Sequence, residues 1–210
     1  VKQNTEEWRL ARCGHVTASR VHDIVATTRS GGFTAGRKNY LAELVAERLT
    51  GTPAPTYVSA AMAYGTECEA EARFEYALAM GVEIEEVGFL LHPLIGEAGA
   101  SPDGLVGADG LVEIKCPNTA THIDTLLGEK IPVEYITQMQ FQMAVTGRQW
   151  CDWVSYDKRL PKHMSAIVRR VRRDDDVIEK LNAEVITFLR ELAETVDLLR
   201  KRYPTPAEAA

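Results

Sequence analysis

The sequence predicts an α/β fold, a central mixed β-sheet flanked by helices. Two segments, Lys38–Thr50 and Asp174–Arg202, carry apolar residues at helical spacing. The second is the longer, with Ile178, Leu181, Val185, Phe188, Leu192, Val196 and Leu199 in near-heptad register. Between them lies a hairpin pattern: Leu105-Val106 and Leu111-Val112 flank the turn signal Ala108-Asp109-Gly110. Two further β-rich runs, Gln149–Tyr156 and His163–Val171, follow it. Helices, then strands, then a long helix within 210 residues describe one layered domain, residues 1–210.

Taken in order, Thr5-Glu6-Glu7-Trp8 opens a helix to about Arg12, and a second runs from Ser19 to about Thr27. Thr17 or Ser19 is placed to cap that second helix, with a phosphate contact beside Arg12 as the functional alternative. Arg29–Arg37 is Gly-rich and flanked by bases, the composition of a mobile loop. It lacks the Gly-x-x-x-x-Gly-Lys-Ser/Thr spacing of a triphosphate-binding loop. The Lys38–Thr50 helix stops at Gly51-Thr-Pro-Ala-Pro55, and Ser59–Met80 forms the next.

Four acids lie on that next helix, Glu67, Glu69, Glu71 and Glu75, and helical phase separates them. Glu69 shares a stripe with Gly65, Ala72 and Tyr76, whose small members allow close packing. A carboxylate there needs a partner, so Glu69 is the functional candidate of the four. Met62, just ahead of it, is a candidate apolar wedge or a core methionine.

Val82–Leu91 reads as one or two strands, and Gly96–Ala100 as a small-residue lead into the hairpin. After Thr119 comes a short helix closed by Gly128. Pro132 begins another that runs to about Thr146, on which Tyr135, Gln138 and Gln142 share a polar stripe that reads as a solvated face or the lining of a groove. Asp157–Pro161 is a basic turn between the last strands. The long final helix reads as packed on the sheet, and residues 203–210 as a frayed tail.

Composition bounds the function. With 30 acids against 24 bases the net charge is −6, which weighs against a protein that holds nucleic acid by surface charge alone. Basic clusters such as Arg169-Arg170 and Arg200-Lys201-Arg202 temper this. No apolar run approaches the ~20 residues of a membrane span, and no signal-peptide pattern opens the chain, so a cytoplasmic protein with no membrane partner is expected. The 4 cysteines are dispersed without a Cys-x-x-Cys pair, which fits a reducing compartment and no structural zinc.

The chemistry concentrates in Ser101–Pro117. On the returning strand Glu113 and Lys115 point to one side and Ile114 to the other, while Asp103 sits at the base of the first strand. Asp103, Glu113 and the backbone carbonyl of Ile114 offer hard oxygen ligands suited to Mg²⁺, with Mn²⁺ as a substitute, and Glu69 adds a fourth group. Such a metal activates water for an in-line attack on a phosphodiester, with Lys115 orienting or deprotonating the water and offsetting charge. A surface Glu113–Lys115 pair with no chemical role is the plain alternative.

Ser101-Pro-Asp103-Gly followed by Glu113-Ile-Lys115-Cys-Pro resembles the PD-(D/E)xK nuclease motif as used by the lambda-exonuclease family, also called YqaJ-like viral recombinases. Trp8 with Arg12 and Gly14-x-x-Thr17-Ala-Ser19 is similar to that family's N-terminal signature. Tyr64-Gly-x-x-x-Glu69 and Tyr135-x-x-Gln138-x-Gln140 resemble its acid helix and its post-motif helix. The resemblance spans residues 5 to 157 and implies a restriction-endonuclease-like core. It implies an alkaline, ATP-independent 5′-to-3′ exonuclease on linear duplex DNA, releasing mononucleotides and leaving 3′ single strands for an annealing protein. By the same resemblance Asp103, Glu113 and Glu69 serve two Mg²⁺ ions, Lys115 is catalytic, and Arg12, Ser19 and Gln138, with Tyr135, Thr17 and Arg29 nearby, contact the DNA and its 5′ phosphate. A ring-shaped homotrimer is implied too, enclosure replacing part of the electrostatic grip. A sequence- or structure-specific endonuclease of the same superfamily and a catalytically silent recombination scaffold are the competing readings.

Overall fold

The computed structural model describes residues 2–55 and 60–204, without the side chains of residues 60–62. The Met62 wedge and residues 205–210 of the expected tail therefore lie outside the described residues. Seven helices and eight strands make up the described chain. Helix α1 (Glu6–Arg12), strand β1 (Val16–Thr17) and helices α2 (Val21–Val25), α3 (Ala35–Thr50) and α4 (Ala60–Met80) come first. Strands β2 (Ile84–Glu85), β3 (Leu90–Leu91), β4 (Ala98–Ala100), β5 (Gly104–Val106) and β6 (Gly110–Lys115) follow. Helices α5 (Thr119–Leu126) and α6 (Val133–Thr146), strands β7 (Trp150–Tyr156) and β8 (Ala166–Arg172), and helix α7 (Asp175–Arg202) complete it.

The main sheet is mixed and five-stranded, in the order β2-β5-β6-β7-β8, and the β5–β6 hairpin occupies its centre. Only β6 and β7 run parallel; the other pairs are antiparallel. The hairpin loop is Gly107-Ala108-Asp109, since Val106 pairs with Gly110. Gly107 takes the left-handed conformation at φ 53°, so it, and not Gly110, supplies the conformational freedom that the turn needs.

Alternation along β6 divides its contacts between two helices. Val112 and Ile114 pack with Cys68, Ala72 and Tyr76 of α4, whereas Leu111 packs with Met139 and Met143 of α6. The hairpin is thus held between α4 and α6, and the polar side chains of both helices are brought to the end of β6.

A second, three-stranded sheet runs β1-β4-β3. Its central strand, β4, stands where the sequence reads only as a small-residue lead. Ala-Gly-Ala carries little strand propensity, yet the site has no room for anything larger. A Cβ on Gly99 would lie 2.4 Å from the Leu90 carbonyl oxygen and 2.5 Å from the Phe89 ring. Val82–Leu91 likewise splits, β2 joining the main sheet and β3 the small one.

Several expected boundaries move for physical reasons. Ser19 does not begin a long helix: Ala18–Arg20 form a 3₁₀ turn into α2, and neither Thr17 nor Arg20 makes a side-chain cap there. The capping role expected of Thr17 or Ser19 is therefore absent. Arg29 lies in a turn closed by the Thr27–Phe33 bridge and the Thr28 N–H bond to the Gly32 carbonyl. Helix α3 starts at Ala35, earlier than expected, and its first turn carries Arg37, buried over Phe33 and Phe188 and paired with Glu191 at 2.7 Å. Lys162–Met164 form a 3₁₀ turn that delays β8 to Ala166.

Helix α7 packs mainly on α2, α3 and α6, not on the sheet. Its stripe from Leu181 to Val196 joins Val16, Val21, Ile24, Tyr40 and Leu44 in the largest apolar cluster. Asp174 caps it by accepting the Val177 N–H at 3.1 Å, with Asp175 and Asp176 in its first turn and three bases in its last, as the helix dipole favours.

Candidate active site

The polar cluster at the end of β6 is built by strand register. Gly104 pairs with Val112, which sets Asp103 opposite Glu113 one residue further on. The Asp103 Oδ2 accepts the Ile114 N–H at 2.6 Å, so a carboxylate substitutes for a strand acceptor where β5 stops. That bond fixes Asp103 against the strand that carries Glu113 and Lys115.

Glu113 is 2% exposed and faces α6. Its Oε1 accepts from Lys115 Nζ at 2.5 Å and from Gln138 Nε2 at 2.7 Å, and its Oε2 from Gln142 Nε2 at 2.6 Å. Burying a carboxylate is tolerable only with such partners. Lys115 also lies over Tyr135, 4.8 Å from the ring centroid.

Glu69 comes from α4 and is partly buried, as the stripe argument expected. Its partner is Arg73, one turn along, at 2.5 Å. Arg73 also donates Nε to the Asp103 carbonyl at 3.1 Å and pairs with Glu86 at 3.1 Å, tying the acid helix to the hairpin. The other three acids of α4 meet partners away from the cluster: Glu67 pairs with Lys158, Glu71 accepts the Tyr156 hydroxyl at 2.9 Å, and Glu75 faces Lys162.

Electrostatics bind the four groups together. Burial and the charge of Glu113 push the Asp103 carboxyl well above its ordinary range, with Lys115 opposing. Burial also raises Glu69, Arg73 pulling it down and Glu113 pushing it up. Burial alone would lower Lys115, but the fields of Glu113 and Asp103 outweigh it and hold the ammonium firmly protonated. Carboxylates crowded in this way are relieved by a cation, and all are hard oxygen donors, so the set fits Mg²⁺ or Mn²⁺. Among the described residues no three acid, His or Cys side chains already form a closed coordination cluster. Lys115, Arg73 and the glutamines hold the acids instead.

The N-terminal signature reaches the same neighbourhood through β1, whose parallel ladder pairs Thr17 with Gly99 just ahead of Ser101. Trp8 Nε1 donates to Ser101 Oγ at 2.9 Å, and the Arg12 guanidinium lies 3.9 Å above the Trp8 ring. The Arg12 guanidinium has no hydrogen bond or ion pair among the described residues, and burial pulls its pKa down against the opposing fields of Tyr40 and Glu47. Ser19 is exposed, its Oγ 3.4 Å from Thr17 Oγ1, on a turn packed against α6. The neighbouring Arg20 is committed to Asp23 and Glu43.

Two expectations shift here. Gln138 and Gln142 do not make a solvated stripe; both are buried on Glu113, so the Gln138 amide is committed to that carboxylate rather than left free for a phosphate. Arg29 stands exposed at its turn, with no bond to the cluster among the described residues. Sequence reasoning missed Arg73 and the Gln142–Glu113 bond, although the i,i+4 spacings Glu69–Arg73 and Gln138–Gln142 were there to be read.

A cleft of about 890 Å³ opens beside Glu69 and Arg73, bounded by Gln3, Thr66, Glu86 and Phe89. Gln3 Nε2 straps the N-terminal segment to it through the carbonyls of Val87 and Pro102 at 2.9 and 2.8 Å.

Residues 7–149 match the family model of the YqaJ-like viral recombinase domain. The chain is 52% identical to an alkaline exonuclease from Laribacter hongkongensis, covering 94% of this chain and 97% of that one with a TM-score of 0.87. A structure of the same enzyme in complex with dAMP superposes with a TM-score of 0.88. A phage-related exonuclease from Haemophilus somnus 129PT, at 16% identity and a TM-score of 0.72 over 88% of this chain, shares the fold. No curated protein sequence matches.

Proposed function

This chain belongs to the YqaJ-like viral recombinase, or lambda-exonuclease, family, and from that premise we propose that it is a metal-dependent exonuclease on linear double-stranded DNA. It degrades 5′ to 3′, releases 5′ mononucleotides and leaves 3′ single strands for a strand-annealing partner. The observation that carries this reading is the convergence of Asp103, Glu113, Lys115 and Glu69, together with Arg12, which is stacked on the Trp8 that bonds Ser101 and whose guanidinium has no direct ion pair among the described residues, Glu47 reaching it only through its field. The first group can cut a phosphodiester. The second suits a terminal phosphate, which would supply the missing anion.

Asp103 and Glu113, with the Ile114 carbonyl and Glu69, would hold Mg²⁺, two ions per site, with Mn²⁺ as a substitute. Bound there, the metal would supply an activated water and neutralise charge on the phosphate. Lys115, held as the ammonium by Glu113 and Asp103, stabilises negative charge developing on the phosphoryl oxygens and is a poor proton acceptor in that state. Arg12 and Ser19 position the 5′ end, and Gln138 acts through Glu113. A homotrimeric ring would allow a chain of net charge −6 to stay on DNA by enclosure.

End-labelled linear duplexes with and without a 5′ phosphate, digested with Mg²⁺ beside a closed circle, test the proposal. Mononucleotide release from the phosphorylated linear duplex, with the circle intact, is expected. Rapid cutting of the circle would replace this reading with an endonuclease, and no digestion at all with a scaffold.

A further inference from the structure

We propose that Gln142 is a positioning residue for the metal-binding carboxylate, setting the orientation of Glu113 and with it the affinity of the site for a divalent cation. This rests on the nuclease reading for its purpose but on packing for its argument. Gln142 is 0% exposed, deeper than Gln138, and its Nε2 lies 2.6 Å from Glu113 Oε2. The amide can stand only this way round, because the opposite orientation would set its oxygen against a carboxylate oxygen. Its own Oε1 finds no donor among the described residues. A buried amide whose oxygen is left unpaired is a poor choice for packing, where Leu or Met would fill the space without that penalty.

What the amide does is hold the carboxylate from the side that no other group reaches among the described residues. Lys115 and Gln138 both bind Oε1, and Gln142 alone binds Oε2 among the described residues. Without it the carboxylate is anchored at one oxygen and can turn about its side-chain torsions. Groups that orient a metal ligand in this way typically change metal affinity or activity by about 10–100-fold when removed.

Gln140 provides the control on the same helix. It is equally buried but faces away, donating to the Arg172 carbonyl and accepting the Asp174 N–H. Gln140→Met should lower the melting temperature and leave metal dependence unchanged. Gln142→Met should raise the Mg²⁺ concentration for half-maximal digestion about tenfold or more. It should raise the Mn²⁺ dissociation constant of the DNA-free protein by a similar factor, with the rate at saturating metal within a few-fold of the parent. Gln142→Leu is read in the same two ways if the Met variant fails to fold. Unchanged Mn²⁺ binding, or an equal change in Gln140→Met, overturns the proposal. Absence of nuclease activity in the parent protein would defeat the functional reading alone, because Mn²⁺ binding still reports on Gln142.

Discussion

Glu113 and Arg12 are both charged, both partly or wholly withdrawn from water, and solved by the fold in opposite ways. Every oxygen of Glu113 has a donor from this chain, one from β6 itself and two from α6. Arg12 has an aromatic ring beneath it and no ion pair among the described residues, Glu47 acting on it only through its field. The first arrangement fixes a group before anything binds. The second leaves a charge for whatever does. A site that cuts needs the former at the reacting bond, and a site that recognises an end needs the latter beside it.

The comparison breaks most sharply at Lys115. Lys115→Met should reduce Mg²⁺-supported digestion by about 10²–10³-fold, the usual loss when one transition-state stabiliser is removed, with the circular dichroism spectrum unchanged. Digestion at the parental rate would mean that the Glu113 cluster is only structural.

At the other pole, Arg12→Ala should cost about tenfold in the preference for phosphorylated over hydroxyl 5′ ends, within the roughly 1.5–3 kcal/mol of a hydrogen bond to a charged group. Digestion of hydroxyl ends should be little altered, since Arg12 touches none of the four clustered groups. Equal losses on both substrates, measured side by side, would show that Arg12 supports the fold and does not read the end.

The smallest effect concerns stability. Because the folded-state pKa of Asp103 lies above its unfolded value of 3.8, its contribution is fully present below that pH and is lost as pH rises through the folded value. Above it, the ionised group repels Glu113. Without metal, Asp103→Asn should therefore raise the melting temperature at pH 8 by about 2–4 °C, the shift of roughly 1 kcal/mol in a chain of this size, and by less at pH 5. Scanning calorimetry in chelator decides it; a lower melting temperature at pH 8 would mean that the Oδ2 bond to Ile114 outweighs the repulsion.

How far these features were legible depends on where their information lies. The hairpin was readable because Leu105-Val106 and Leu111-Val112 alternate about a glycine-containing turn, and α7 because its apolar stripe repeats over 28 residues. Glu69 was separable from its neighbours by helical phase alone. Strand β4 was not readable, since Ala98-Gly99-Ala100 is chosen by the space left under Phe89 and not by propensity. Gln138 and Gln142 read as a solvated face or a groove lining, not as partners of Glu113, because a polar side chain carries no mark of the carboxylate it will meet. The role of Arg73 depends on the Asp103 carbonyl thirty residues away, a contact that only the packing of α4 on the hairpin creates.

The strap made by Gln3 has a practical side. Because its amide holds the segment 2–4 against the Val87 and Pro102 carbonyls, anything joined ahead of Lys2 leaves the fold at the rim of the cleft beside Glu69. An affinity handle fused there would hang over that cleft, and would hinder a duplex if the proposed substrate enters on this side. Preparations with and without such a handle should then differ in their apparent affinity for DNA.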